Sequence, residues 1–256
     1  MEKFFLETED NINIAVNHIK NNHKEVIILV HGWFMTKDSR AFSSLADDLS
    51  AYFDVISFDC RGHGKSSGFY TFTSKETIDL KTVVDYAKSF YEKIYLIGFS
   101  LGGALVLIHS ALNKDVDKVI AVSAPSDFNK IENQMWKKEA WLPTLKKFEP
   151  ERWLSIRPSL ITREKIKPFE IIKDVEAPTL FIAGKKDPTV CPWHTKKLYN
   201  EALCTKKFEL FDSIHAEDLY LDEPEKFVNT CVNWLKSPSH NLHNQTSEDI
   251  SFPSHQ

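Results

Sequence analysis

The chain has 256 residues, 42% hydrophobic and 27% charged, which is enough length for one large α/β domain with a buried core and excludes a disordered or fibrous chain. Its 32 basic and 36 acidic side chains, a formal net charge of -4, are mixed along the sequence, so no basic field is available to hold a nucleic acid. Cys60, Cys191, Cys204 and Cys231 form no CxxC pair and no metal-finger spacing, which predicts reduced thiols in a cytosolic compartment and no metal or cofactor. The N-terminus, MEKFFLETED, reaches acidic residues within a few positions, and no apolar run has the length of a signal peptide or a bilayer span. The expectation is a soluble cytoplasmic protein without a membrane span.

Eight short runs rich in β-branched and aromatic residues predict strands at 4–8, 12–19, 26–30, 55–59, 94–98, 119–123, 179–183 and 208–211. The first two read as a hairpin. From the third onward the runs are nearly unbroken in apolar character, as in strands buried on both faces of a parallel sheet. Helix-period segments at 39–52, 75–91 and 101–112 lie between them, giving a βαβ pattern and a doubly wound, mostly parallel eight-stranded sheet. This domain is expected over residues 1–236.

After the sixth strand, residues 126–177 take about twice the length that one crossover helix needs and are expected to form a short helical lid. Trp136, Trp141 and Trp153 stand there among lysines, either as anchors of the insertion or, for Trp136 and Trp141, as walls of a substrate pocket. Residues 237–256 are rich in Ser, His and Asn without an apolar period, and are expected to be a disordered tail.

The sharpest chemical signal is Gly98-Phe99-Ser100-Leu101-Gly102, set between the apolar run KIYLIGF and the helical run LGGALVLIHSAL. A serine projecting from a sharp strand-to-helix turn needs small residues on both sides, which marks Ser100 as a candidate nucleophile. A hydroxyl is a poor nucleophile until a base takes its proton. His215, in the loop after the last strand, is the candidate base; His194, after Pro192 and Trp193, reads better as a residue of a helix's first turn. For the carboxylate that orients the base, Asp187 lies just past the seventh strand, with Asp127 and Asp212 as alternatives. An anionic intermediate needs backbone donors, for which the N–H groups of Leu101 and Trp33 are candidates, with Phe34 in reserve and as a substrate contact. His31 reads as a loop-ordering residue. The run DCRGHGKS is too short between its glycines and Lys65 to be a phosphate loop.

HGW after the third strand, DCRGHGKSSG after the fourth, GFSLGG, GKKDPTV after the seventh and SIHAED after the eighth resemble the α/β-hydrolase superfamily over nearly the whole chain outside the insertion and tail. The RGHGKS form is similar to monoacylglycerol-lipase-like and feruloyl-esterase-like enzymes. The resemblance implies the α/β-hydrolase fold and a serine hydrolase that cleaves a small-molecule ester of small to medium acyl or aromatic type. The same triad serves thioesters, amides, carbon–carbon bonds or perhydrolysis, and the fold is also compatible with a non-catalytic ligand-binding protein.

Overall fold

The computed structural model describes residues 1–131 and 165–238 and, between them, residues 138, 142, 149, 152, 154 and 156–159. Eight strands, β1 (Glu2–Glu7), β2 (Asn13–Ile19), β3 (Glu25–Val30), β4 (Asp54–Phe58), β5 (Lys93–Phe99), β6 (Lys118–Val122), β7 (Thr179–Gly184) and β8 (Lys206–Phe211), form one sheet. Their order is β1-β2-β4-β3-β5-β6-β7-β8. The β1 and β2 hairpin joins β4 antiparallel, and every pair from β4 to β8 is parallel. This is the α/β-hydrolase fold.

Seven α-helices are found among the described residues: α1 (Arg40–Leu49), α2 (Glu76–Lys88), α3 (Leu101–Asn113), α4 (Pro168–Ile171), α5 (Pro192–Glu201), α6 (Asp218–Asp222) and α7 (Pro224–Lys236). The pleat sends alternate strand residues to opposite faces. Ile28, Val30, Leu96 and Phe181 pack with Leu80 and Val84 of α2 and with Leu105 of α3. Ile27, Leu29, Ile97 and Ile182 pack on the other face with Phe42 of α1 and Phe227 of α7. The sheet is therefore covered on both sides, which accounts for the unbroken apolar runs of its central strands.

The chain leaves β3 for β4 on one side and then returns for β5 on the other. Sequence order thus reverses at the β3–β5 pair, and a crevice opens there beyond the carboxyl ends of the strands. The loops after β3, β5, β6, β7 and β8 all gather at that edge.

Within the insertion, Asp127 caps a short 3-10 turn at Phe128–Lys130, and α4 runs into a second one at Ile172–Asp174. Residues 157–159 are stitched to the loop after β4. Arg157 donates its N–H to Gly62 O at 2.7 Å, Tyr70 donates to Arg157 O at 2.8 Å, and Ser159 donates to Tyr70 O at 2.8 Å. Trp136 and Trp141, and the tail beyond Pro238, lie outside the described residues. No helix among those described is long and apolar enough to cross a membrane.

Close backbone packing at the sheet edge joins β5 to the start of α3. A methyl group at Gly98 would overlap the carbonyl of Gly102, and one at Gly102 would overlap that of Val30. Neither neighbour is a flexible side chain, so the backbone itself would have to move. Gly98→Ala is expected to lower the unfolding free energy by about 3 kcal/mol. Urea unfolding checks this, and a value within about 1 kcal/mol of wild type would refute the close approach.

Candidate active site

Ser100 stands between β5 and α3 with φ 54° and ψ -117°, a conformation that costs a non-glycine residue free energy and persists only when its surroundings hold it. They do so from both sides. The Ser100 N–H donates to Val122 O of β6 at 2.8 Å, and Ser100 O accepts the first intrahelical bond of α3 from Ala104 at 3.1 Å. The Leu101 N–H, which precedes that bond, is one of the groups that the helix cannot satisfy internally.

The loop after β8 brings His215 across to this serine. Its Nε2 lies 2.9 Å from Ser100 Oγ, and its Nδ1 lies 2.6 Å from Asp187 Oδ2. Asp187 is fully buried just past β7, while the His215 side chain is 19% exposed and Ser100 is buried at 7%. The second Asp187 oxygen, Oδ1, accepts the backbone N–H groups of Thr189 and Val190, both at 2.9 Å. With Asp187 ionised, Nδ1 carries the donated proton and Nε2 is left to accept from the serine hydroxyl.

Burial pushes the His215 pKa down. The charge of Asp187 and its hydrogen bond, aided by Asp218 and Glu217, more than offset this, and the pKa ends above the ordinary histidine value of 6.5. The loop is anchored where it matters. Ala216, at φ 49°, donates its N–H to Ser123 Oγ at the end of β6, and Ser213 Oγ donates to Asp222 Oδ2 at 2.6 Å.

Beside the serine, the loop after β3 turns at Gly32. Cys60 donates its N–H to His31 Nε2 at 3.0 Å, so Nε2 accepts and the ring proton sits on Nδ1, which donates to Gly32 O at 2.8 Å. Burial holds the His31 pKa below its usual value despite nearby Asp59, keeping the ring neutral. The Gly32–Trp33 peptide is trans, so a carbonyl engaged by His31 turns the Trp33 N–H to the opposite side. Phe34 follows at φ 57°, its carbonyl accepting from Arg152 Nε at 2.7 Å. The Trp33 ring packs against Phe34, Tyr70 and Phe72, and Tyr70 against Phe72, with centroids 4.8 to 5.1 Å apart.

Other sequence candidates sit elsewhere. Asp127 accepts from Asn129 N at 3.0 Å and faces Lys167 at 3.6 Å. Asp212 pairs with Lys186 on the surface. His194 is 2.9 Å from Ser126 Oγ and 3.2 Å from Lys130 O, tying the start of the insertion to α5. Ser123 and Arg152 entered no motif, because a lone serine at a strand end or an arginine in a polar insertion carries no pattern; Glu217 stood in SIHAED without a role of its own.

The family model for the alpha/beta hydrolase fold matches residues 25–145, which span β3, the Ser100 turn and β6. Over that stretch the chain is similar to the α/β-hydrolase superfamily, whose fold it has. The chain is 32% identical over 128 residues to the AB hydrolase superfamily protein YisY of Bacillus subtilis, covering 47% of the chain and 44% of that protein. It is 28% identical over 197 residues to the alpha/beta hydrolase domain-containing protein WAV2 of Arabidopsis thaliana, covering 72% and 60% respectively. The chain thus spans less than two thirds of the length of these curated relatives. In fold it is similar to the esterase Pf2001 of Pyrococcus furiosus, with a TM-score of 0.75 at 22% identity over 92% of this chain and 91% of that one.

A direct readout of the row is the titration of the His215 ring. Followed by its carbon-bound proton resonances, it is expected to titrate above 6.5. Asp187→Asn removes the charge and keeps the burial, so the titration should move to lower pH. An unchanged or raised midpoint would contradict the assigned electrostatics.

Proposed function

We propose that this chain is a serine hydrolase that cleaves a carboxylic ester through an acyl-enzyme intermediate. The observation that carries the reading is the continuous row of hydrogen bonds from buried Asp187 through His215 to Ser100 Oγ. His215 Nε2 takes the hydroxyl proton as Ser100 Oγ bonds to the ester carbonyl carbon, and the carbonyl electrons move onto oxygen. The N–H groups of Leu101, at the head of α3, and of Trp33 are the proposed donors to that oxygen. Collapse of the intermediate expels the alcohol, which receives the proton from His215. Water then enters by the same steps in reverse and releases the acid.

His31 has a supporting part in this scheme. Neutral and fixed as the Nδ1–H tautomer, it holds the carbonyl of the peptide whose N–H Trp33 offers. That arrangement stands ready before substrate arrives, which is what electrostatic stabilisation of a developing charge requires.

For the substrate, the aromatic wall of Trp33, Phe34, Tyr70 and Phe72 supports an apolar or aromatic acyl group of small to medium size. Phe34 is the proposed contact nearest the serine. The proposal also assigns a pocket role to Trp136 and Trp141, to be tested by the acyl-length profile of their alanine variants. The esterase named for the structural relative from Pyrococcus furiosus agrees with ester chemistry.

Two experiments test the reading. Ser100→Ala should fold normally, lose turnover of a short-chain aryl ester by more than about a thousandfold, and no longer be labelled by a fluorophosphonate. Activity within tenfold of wild type would end the mechanism. In the wild type, kcat/KM should fall as pH drops through the His215 pKa, because the protonated ring cannot accept the serine proton; that limb should lie above 6.5 and move down in Asp187→Asn.

A further inference from the structure

Arg152 is the insertion's contribution to the strand-end edge, and its side chain is only 3% exposed. Its guanidinium reaches two separate loops. Nε donates to the Phe34 carbonyl at 2.7 Å, and Nη2 donates to Glu217 Oε1 at 3.1 Å. Nη1 is 3.3 Å from Glu149 Oε1, and Glu149 Oε2 in turn accepts the N–H of Arg40 at the start of α1. Phe34 belongs to the strained turn that follows Trp33, and Glu217 stands two residues after His215. One buried cation therefore spans the loop that presents the Trp33 N–H and the loop that presents the base.

From these contacts we infer that Arg152 is a positioning residue that clamps the loop after β3 to the loop after β8 and moderates the negative charge around His215. The inference rests on the serine-hydrolase reading. A planar fork with several donors on one rigid frame suits this task, because it fixes the distance and angle between its acceptors; a lysine ammonium cannot reproduce that. Phe34 at φ 57° needs outside contacts to persist, and the Arg152 bond to its carbonyl is one of them.

The clamp also has an electrostatic side. The groups facing His215 are Asp187 from the loop after β7, Glu217 and Asp218 from its own loop and α6, and the Ser100 hydroxyl. Three carboxylates favour the protonated ring, which cannot act as a base. Arg152 on Glu217 sets a positive charge behind one of the three and weakens its pull. Geometry and charge therefore separate: the bond to Phe34 bears on turnover, and the pair with Glu217 bears on titration.

The test uses that separation in the full chain. Glu217→Gln keeps an acceptor for the guanidinium but removes the negative charge, so the His215 resonance should titrate at lower pH than in wild type. Arg152→Met/Glu217→Gln then removes the positive charge without stranding the buried Glu217 carboxylate, and the titration should move back up. At a pH where His215 is neutral in both proteins, kcat for a short aryl ester should be about tenfold lower in the double variant than in Glu217→Gln, with KM within about twofold, as expected when a reacting geometry loosens. A merely structural arginine would lower the melting temperature and leave both differences at zero. If the double variant does not fold, Arg152→Lys keeps the charge and loses the fork, and kcat should fall while the titration stays put. Coincident titrations and equal kcat in the two glutamine-bearing proteins overturn the inference; for Arg152→Lys, a kcat equal to wild type does so. A wild-type chain that hydrolyses no ester overturns the hydrolase reading instead, while the titrations still judge the clamp.

Discussion

The strand-end edge depends on how closely the first turn of α3 can approach β3 and β5. Gly98 and Gly102 permit backbone-to-backbone contact there, and that contact forces the chain to reverse within a single residue. The reversal puts Ser100 at φ 54° with its hydroxyl 2.9 Å from His215 Nε2. It also puts the head of a helix, with its unsatisfied N–H groups, directly behind the serine. The proposed nucleophile, its proposed donor and the crevice are three outcomes of one packing constraint, and a side chain larger than hydrogen at either glycine would disturb them together.

Around that turn, the edge is assembled by hydrogen bonds that cross from loop to loop. Ser123 at the end of β6 holds Ala216, the neighbour of His215, and Lys186 donates its N–H to Ser213 O, which joins the loop of the acid to the loop of the base. His31 ties the β3 loop to Cys60 beyond β4. Each bond is modest alone, about 1 kcal/mol. Their shared effect is to leave few alternative geometries for the row, because moving one loop breaks contacts with the next.

What the sequence discloses about this edge follows from whether a feature is local. The central strands were legible because burial on both faces demands unbroken apolar runs, and the elbow because its small residues are contiguous. The helix bounds drifted by a few residues: the segment read as 39–52 forms a helix over Arg40–Leu49, since a periodic pattern does not say where the last turn frays. His215 and Asp187 could be proposed from chain order and their places after β8 and β7, yet only the register of the parallel pairs brings them within hydrogen-bonding distance. Arg152 was illegible. Its partners Phe34 and Glu217 lie 118 and 65 residues away along the chain, and no spacing rule connects an arginine in an insertion with a backbone carbonyl in another loop.

That same separation has a meaning for synthesis. Ser100 and His215 are 115 residues apart, and His215 follows β8, the last strand along the chain. During translation, the β3 to β6 core and its elbow can form while β7 and β8 are still within or behind the ribosome tunnel. In the proposed mechanism a nascent chain in that state holds a serine with no base to activate it. Under the proposed mechanism chemical competence is gained only when the C-terminal strands dock, so an incompletely made or proteolytically trimmed chain would be inert by construction rather than a source of unregulated hydrolysis.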